Sequence, residues 1–225
     1  YIAEMELGYS TDSYDSEGKI VNENSSFDFS VVDEKFINRI LAMFLGKQKQ
    51  IPPMYSALKV DGKKLYELAR ENIEIEREPR EIFIEYIKLL KIEDKKITFE
   101  VKVSKGTYIR TLVNDIGEKI GSYATMTGLK RSSVGEYKIE KSHTLEEIEK
   151  MAADKDLSFI KSVEESFGYL PIFEIEGERE FRLFKNGNTV VTPDYIDGRY
   201  RIYHKGRFKE LGLINEERLK GYKLF

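Results

Sequence analysis

The chain of 225 residues contains no cysteine and two histidines. The first absence excludes disulfides, thiolate metal sites and cysteine nucleophiles. The histidines, His143 and His204, lie far apart with no carboxylate cluster beside either, so both read as exposed or capping residues and a metalloenzyme is disfavoured. No run of about 18 apolar residues occurs, and no transmembrane helix is expected. The opening Tyr1-Ile2-Ala3-Glu4-Met5-Glu6 carries no signal-peptide pattern. Neither sign of charge dominates: 37 Lys and Arg against 40 Asp and Glu leave a net charge of −3. A nucleic-acid partner needs a basic face rather than a basic protein. Here cations cluster at 47–70, 102–110, 130–131 and 199–209, while acids crowd 146–149 and 174–180. With 34% charged and 40% apolar residues, the composition fits a soluble globular protein of one large and one small domain.

The most informative stretch is Ser104-Lys105-Gly106-Thr107-Tyr108-Ile109-Arg110-Thr111. Before it, Ile97, Phe99, Val101 and Val103 alternate with polar neighbours, which predicts a half-buried strand. After it, Leu112, Val113, Ile116 and Ile120 recur at helical spacing, and Gly121 stands where a helix C-cap falls. The octet therefore occupies a strand-to-helix junction. Lys105 brings a mobile point charge, Arg110 a planar fork suited to carboxylate or phosphate, and Tyr108 a flat face with a hydroxyl. Spacing alone favours a capped turn with surface cations.

Elsewhere, Ala3, Met5 and Leu7 alternate into a strand that ends at Gly8. Residues 10–18 form a polar, turn-rich segment whose Asp12 and Asp15 read as turn-capping side chains rather than acid–base groups. Asp33 caps a helix with the stripe Phe36, Ile37, Ile40, Leu41, Phe44 and Leu45, closed by Gly46. Pro52-Pro53 then forbids a helix, and Tyr55, Lys59, Lys63, Lys64 and Arg70 interleave aromatics with cations around a short helix marked by Leu65, Leu68 and Ala69. Strands at 82–90 and 97–103 flank the hairpin turn Glu93-Asp94-Lys95-Lys96. Ala124 to Leu129 leads into a basic turn, and Thr144 with Glu147 makes a capping box. Residues 154–170 read as a connector. From Leu170-Pro171 onward, short strands at 189–191, 200–203 and 207–212 suggest a small β-barrel or sandwich.

Four stretches together resemble the bacterial tRNA pseudouridine synthase B (TruB) family. They are the octet with its continuation through Gly135, Tyr1–Gly8 with Thr11-Asp12-Ser13-Tyr14-Asp15, Gln50–Lys59, and Leu65–Arg70. The resemblance covers about residues 1–150. It implies an α+β fold, a mixed and largely antiparallel sheet flanked by helices, over 1–168, with an RNA-gripping insertion at 47–80. It further implies a small PUA-like β-barrel that binds RNA over 169–225. The implied activity is cofactor-free and metal-free isomerisation of uridine 55 in the T-loop of tRNA, by a cytoplasmic, monomeric isomerase that flips the target base.

Carried over position by position, Tyr1 matches the tyrosine that stacks on the target base and Leu129 a leucine lining the same pocket. Arg110 matches the arginine that ion-pairs with the catalytic aspartate, and Tyr108 a tyrosine beside it. Lys105 and Arg131 are candidates for pocket scaffolding or phosphate contact, and Lys59, Lys64 and Arg70 for gripping RNA. The family's catalytic aspartate belongs to a Gly-x-Leu-Asp motif upstream of the Lys-x-Tyr at which this chain begins, and no such motif occurs in it. The expectation is a piece of the enzyme whose aspartate lies elsewhere, on a separate fragment among other arrangements. The alternative is a non-catalytic tRNA-binding or RNA-folding module that uses the same surface.

Overall fold

The structure, a computed structural model, describes residues 1–60, 62–71 and 73–223. Positions 61 and 72 of the expected insertion, and 224 and 225 of the expected C-terminal domain, lie outside the described residues. The chain forms two compact units that divide between Ser142 and His143.

In the first unit β1 (Ile2–Leu7) is followed by the ribbon β2 (Tyr9–Thr11) and β3 (Ile20–Glu23), helix α1 (Glu34–Ala42) and β4 (Gly46–Gln50). The two-residue strands β5 (Lys59–Val60) and β6 (Lys63–Lys64) precede α2 (Leu65–Arg70). Then come β7 (Arg80–Glu93), β8 (Lys96–Val103), α3 (Ile109–Ile120), β9 (Ala124–Lys130) and the small hairpin β10 (Ser133–Val134) and β11 (Tyr137–Lys138). The main sheet runs β4-β7-β8-β1-β9, and every neighbouring pair is antiparallel.

The period-2 pattern does what it predicts. Ala3, Met5 and Leu7 of β1 and Ile97, Phe99 and Val101 of β8 point into one core, and their alternates point away. Onto that face pack Ile37, Ile40 and Leu41 of α1 and Leu112, Val113, Ile116 and Ile120 of α3. The Asp33 carboxylate accepts from Phe36 N at 2.6 Å, capping α1 as expected. Gly121 adopts φ +87°, which lets α3 stop in a left-handed turn that returns its own N–H to Gly117 O and Glu118 O. The insertion carries a small core of its own, Met54, Leu65 and Leu68.

Two expectations need correction here. Helix α1 ends at Ala42, not Gly46: Phe44 and Leu45 continue the apolar run outside the helix, and Gly46 at φ +82° opens the edge strand β4. Ala124 to Leu129 is not a lead-in but a full strand, β9, pairing with β1.

The second unit contains α4 (Leu145–Ala153), α5 (Val163–Ser166), β12 (Ile172–Glu174), α6 (Glu178–Lys185), β13 (Val190–Val191), β14 (Gly198–His204), β15 (Arg207–Asn215) and β16 (Arg218–Lys223). The Thr144–Glu147 capping box forms as predicted, and the expected connector holds α5 with a second box, Ser162 and Glu165. The strands make one mixed five-stranded sheet, β12-β14-β15-β16-β13, in which β12 and β14 are parallel. Its end strands β12 and β13 do not pair with each other among the described residues, so this is an open sheet where a closed barrel was expected. Phe173, Ile175, Phe184, Ile202, Ile214 and Leu219 form its core. His204, expected to be exposed or capping, is only 4% exposed: Phe181 stacks on it at 4.1 Å, and its Nδ1 lies 2.6 Å from Ile175 O.

Candidate active site

The octet sits where the sequence predicts, on the link from β8 to α3. Ser104 ties the link to β7: its N–H donates to Phe83 O at 2.8 Å, and its hydroxyl accepts from Phe83 N at 2.9 Å. Thr107 Oγ1 closes the turn onto Ser104 O at 2.9 Å, and Gly106 takes φ +85°, a value a side chain would oppose.

Tyr108 is the N-cap of α3 and supplies no side-chain cap. Its main chain is held instead by Gln50, 3% exposed at the end of β4. Gln50 Nε2 donates to Tyr108 O at 3.1 Å, and Tyr108 N donates to Gln50 Oε1 at 2.8 Å. One buried amide thus fixes the start of the helix that carries Arg110.

From the first turn of α3 the Arg110 fork reaches two partners. Nη1 donates to Asp15 Oδ2 at 2.7 Å, and Nη2 donates to Tyr55 O. Both charged side chains are about one-fifth exposed, 21% and 22%, a setting in which an ion pair is stronger than at an open surface. Asp15 is itself fixed. Its Oδ1 accepts from Ser13 Oγ at 2.7 Å and from Glu17 N at 3.2 Å. The segment is sewn to β9 by Met126 N to Tyr14 O and Ser16 N to Met126 O, and Tyr14 sits at φ +64°, uncommon for a bulky residue.

Local sequence does not show this role of Asp15, which reads there as a turn-capper only. Asp12 keeps to the expectation, accepting from Lys19 N at 2.9 Å. On the next turn of α3, burial and then the negative charge of Glu118 push the Asp115 carboxyl up to about 6.

The other predicted residues fall into three groups. Tyr1, Lys105 and Arg131 line one cleft of about 580 Å³ together with Tyr86 and the Ser104–Thr107 turn. Leu129, 47% exposed on β9, lines a neighbouring concavity of about 530 Å³ that shares Arg131. Lys59, Lys64 and Arg70 belong to the insertion, where Lys64 and Arg70 lie over the Tyr66 ring at 5.3 and 5.5 Å. A hydrogen bond to the Tyr66 hydroxyl, at 3.2 Å, and the Glu67 charge raise the Lys64 pKa above its ordinary value. Neither Tyr108 nor Arg110 lines either cleft.

Chemically, a flat tyrosine beside two cations suits a base stacked on a ring with its phosphate on the cations. A guanidinium carries five N–H donors, of which two are engaged here, and suits the orientation of a further carboxylate.

Residues 1–109 match the model of the TruB family pseudouridylate synthase N-terminal domain, and residues 110–167 match the tRNA pseudouridylate synthase B C-terminal domain. The tRNA pseudouridine synthase B of Fusobacterium nucleatum is 48% identical over 229 residues, covering 100% of this chain and 77% of that protein. The protein of the same name from Clostridium kluyveri is 38% identical, covering 100% and 77%. Among solved structures, a chain of an H/ACA RNP bound to a substrate RNA containing 2'-deoxyuridine superposes with a TM-score of 0.62 at 18% identity. A chain of a Cbf5-Nop10-Gar1 complex superposes with a TM-score of 0.63 at 21% identity. This chain spans 64% and 66% of their respective lengths. At those identities the likeness is one of fold.

Proposed function

The chain belongs to the TruB family of pseudouridylate synthases, and from that premise we propose that it isomerises one uridine in the T-loop of tRNA to pseudouridine without a cofactor. The observation that carries the reading is the Arg110 fork, held by Asp15 and Tyr55 at the head of α3. The reaction breaks the N1–C1′ bond, turns the uracil and joins C5 to C1′; C5 gives up a proton and N1 gains one. The base must first leave its stack.

In this reading Tyr1 stacks on the freed uracil, Leu129 meets it from the neighbouring concavity, and Tyr108 supports the site from the head of α3, outside both clefts. Arg110 keeps the reactive carboxylate ionised and aimed, because an adjacent guanidinium favours the charged form. Asp15 keeps Arg110 itself from turning away, and Gln50 keeps the helix start in register. Lys59, Lys64, Arg70, Lys105 and Arg131 take backbone phosphates of the T stem-loop. We extend the proposal to a catalytic domain over 1–168 with its gripping insertion at 47–80, a PUA-like RNA-binding domain over 169–225, and a monomer working in the cytoplasm, where tRNA is found.

The alternative reading is a non-catalytic tRNA-binding or RNA-folding module that uses the same surface. The family resemblance assigns the reactive aspartate to a Gly-x-Leu-Asp motif. Conversion of uridine in a T stem-loop, measured with this chain alone and with a peptide or fusion that supplies the motif, separates the two. Turnover only with the motif supports the synthase with an added aspartate. Turnover without it makes Asp15 or Asp12 the reactive group. Tight binding with no turnover in either arm overturns the catalytic reading in favour of the module.

A further inference from the structure

The second unit carries a glutamate whose carboxylate has no partner among the described residues. Glu210 of β15 is 5% exposed as a residue, yet its oxygens are not sealed from solvent and open onto a small pocket. Burial raises its pKa above its ordinary value. The chain nevertheless makes room for it. On the neighbouring strand β16 stands Gly221, where a Cβ would come within 2.7 Å of Glu210 Oε1. Any larger residue there would cover the carboxylate.

Glu210 lines a pocket of about 190 Å³ with Phe184 and Lys185 at the end of α6 and with Lys220, Gly221 and Tyr222 of β16. Neither lysine pairs with Glu210, and Arg199 lies over the Tyr222 ring at 4.6 Å. The volume is below the roughly 300–1,000 Å³ of pockets for drug-sized ligands, so it suits one base with its sugar and phosphate left outside.

We propose that this pocket binds a guanine base, through Glu210 on its Watson–Crick edge and Lys185 and Lys220 on the attached phosphate. The selection follows from donor geometry. A carboxylate offers two acceptor oxygens side by side and no donor. Guanine meets them with two adjacent N–H donors, N1–H and the 2-amino group. Adenine and cytosine place a ring acceptor beside their amino group, and uracil places its one N–H between two carbonyls; each sets an acceptor against a carboxylate oxygen. Single-stranded RNA is read in this way, on splayed base edges. The pocket is therefore a sequence-reading element of the second unit. The inference rests on the proposed tRNA-binding function for its RNA source, though guanosine 5′-monophosphate carries the same chemistry.

The test titrates the full chain with the 5′-monophosphates of guanosine, adenosine, cytidine and uridine, following the Gly221 and Gly212 amide resonances, and repeats the titration with the trinucleotides UGU and UAU. Guanine ligands should bind at least tenfold tighter than the others, and Glu210→Gln should remove that preference. Because the exchanged carboxylate has no partner among the described residues, Glu210→Gln should fold; Lys220→Ala gives an independent check by weakening the monophosphate but not guanosine. Tighter binding of UGU than of the monophosphate assigns RNA as the source, and the reverse assigns a free nucleotide. No guanine preference, or a preference that survives Glu210→Gln, overturns the inference. Binding of a T stem-loop is measured in parallel, so failure of tRNA recognition is told apart from failure of this pocket.

Discussion

Replacing Gln50 tests the claim that one buried amide sets the start of the Arg110 helix. In Gln50→Ala the Tyr108 N–H loses its acceptor at 2.8 Å, and no side chain caps α3 in its place. A stranded donor costs about 1–3 kcal/mol. The Tyr108 carbonyl suffers less, because Leu112 N still donates to it at 3.1 Å. We therefore expect a loss of about 2 kcal/mol, read as a shift of the urea midpoint of the first unit. Gln50→Met fills the space without either bond and should lose as much as Gln50→Ala, whereas Gln50→Glu keeps the acceptor for Tyr108 N and should lose about half. Amide exchange should quicken at Tyr108 to Leu112 before it quickens in β1 and β8. In T stem-loop assays the substitution should lower turnover more than affinity, since it loosens the arginine two residues further on. A Gln50→Met protein within about 0.5 kcal/mol of the parent would refute the reasoning, because only packing would then matter at this position.

Arg110→Ala should reduce pseudouridine formation about a hundredfold, the scale of a misplaced reacting group, while T stem-loop affinity changes little; equal losses of both would remove the orienting role. A double-mutant cycle of Arg110→Met with Asp15→Asn should give a coupling of about 1–2 kcal/mol for a pair one-fifth exposed, and a coupling near zero would make the contact incidental. Asp115 binds its proton more tightly folded, with a pKa of about 6, than unfolded at 3.8, so stability should fall as pH rises from about 4 to about 6. Asp115→Asn should accordingly be nearly neutral at pH 4. By pH 7 it should stabilise by about 1–2 kcal/mol once solvent screening is allowed for; a gain confined to low pH would contradict the assignment. Gly117→Ala would set a methyl 2.2 Å from Ala124 N, a backbone atom that cannot swing aside. We expect about 3 kcal/mol of destabilisation by denaturant titration.

The strands whose pattern could be read are those with one wet and one dry face. β1 and β8 alternate cleanly because they lie inside the sheet order β4-β7-β8-β1-β9 and bury one face against α1 and α3. The two ends of that order were not legible. β4 is Gly46-Lys47-Gln48-Lys49-Gln50, an edge strand with lysines and no apolar alternate, the composition by which edges avoid pairing further. β9 hides for another reason. Between Glu4 and Met5 its register slips by one residue, so Gly128 faces Glu4 while Met126, not Thr127, faces Met5. Apolar residues on either side of that bulge stand out of phase, and a period-2 search across Ala124 to Lys130 fails. The end of α1 misled through the opposite fault, since Phe44 and Leu45 keep the helical spacing after the helix has stopped.

At the site, local reading found the cations and the aromatic rings but not what holds them. Asp15 satisfies its local reading with one oxygen, Oδ1, on Ser13 and Glu17. A carboxylate has a second oxygen, and this one goes to an arginine 95 positions away. Treating a capping aspartate as fully accounted for is therefore an error of bookkeeping: the cap uses one acceptor, and the other must still be placed. Gln50 escaped likewise, because a glutamine next to Ile51-Pro52 has no local partner and its two bonds span 58 positions. Glu210 is the same problem left open. Its strand is predicted, its burial is not, and no donor among the described residues answers it. Where a polar group is buried, the question of what bonds each of its atoms has to be asked atom by atom. For Asp15 and Gln50 the answer lies far along the chain, and for Glu210 the proposed answer is the guanine edge that the titration is designed to find.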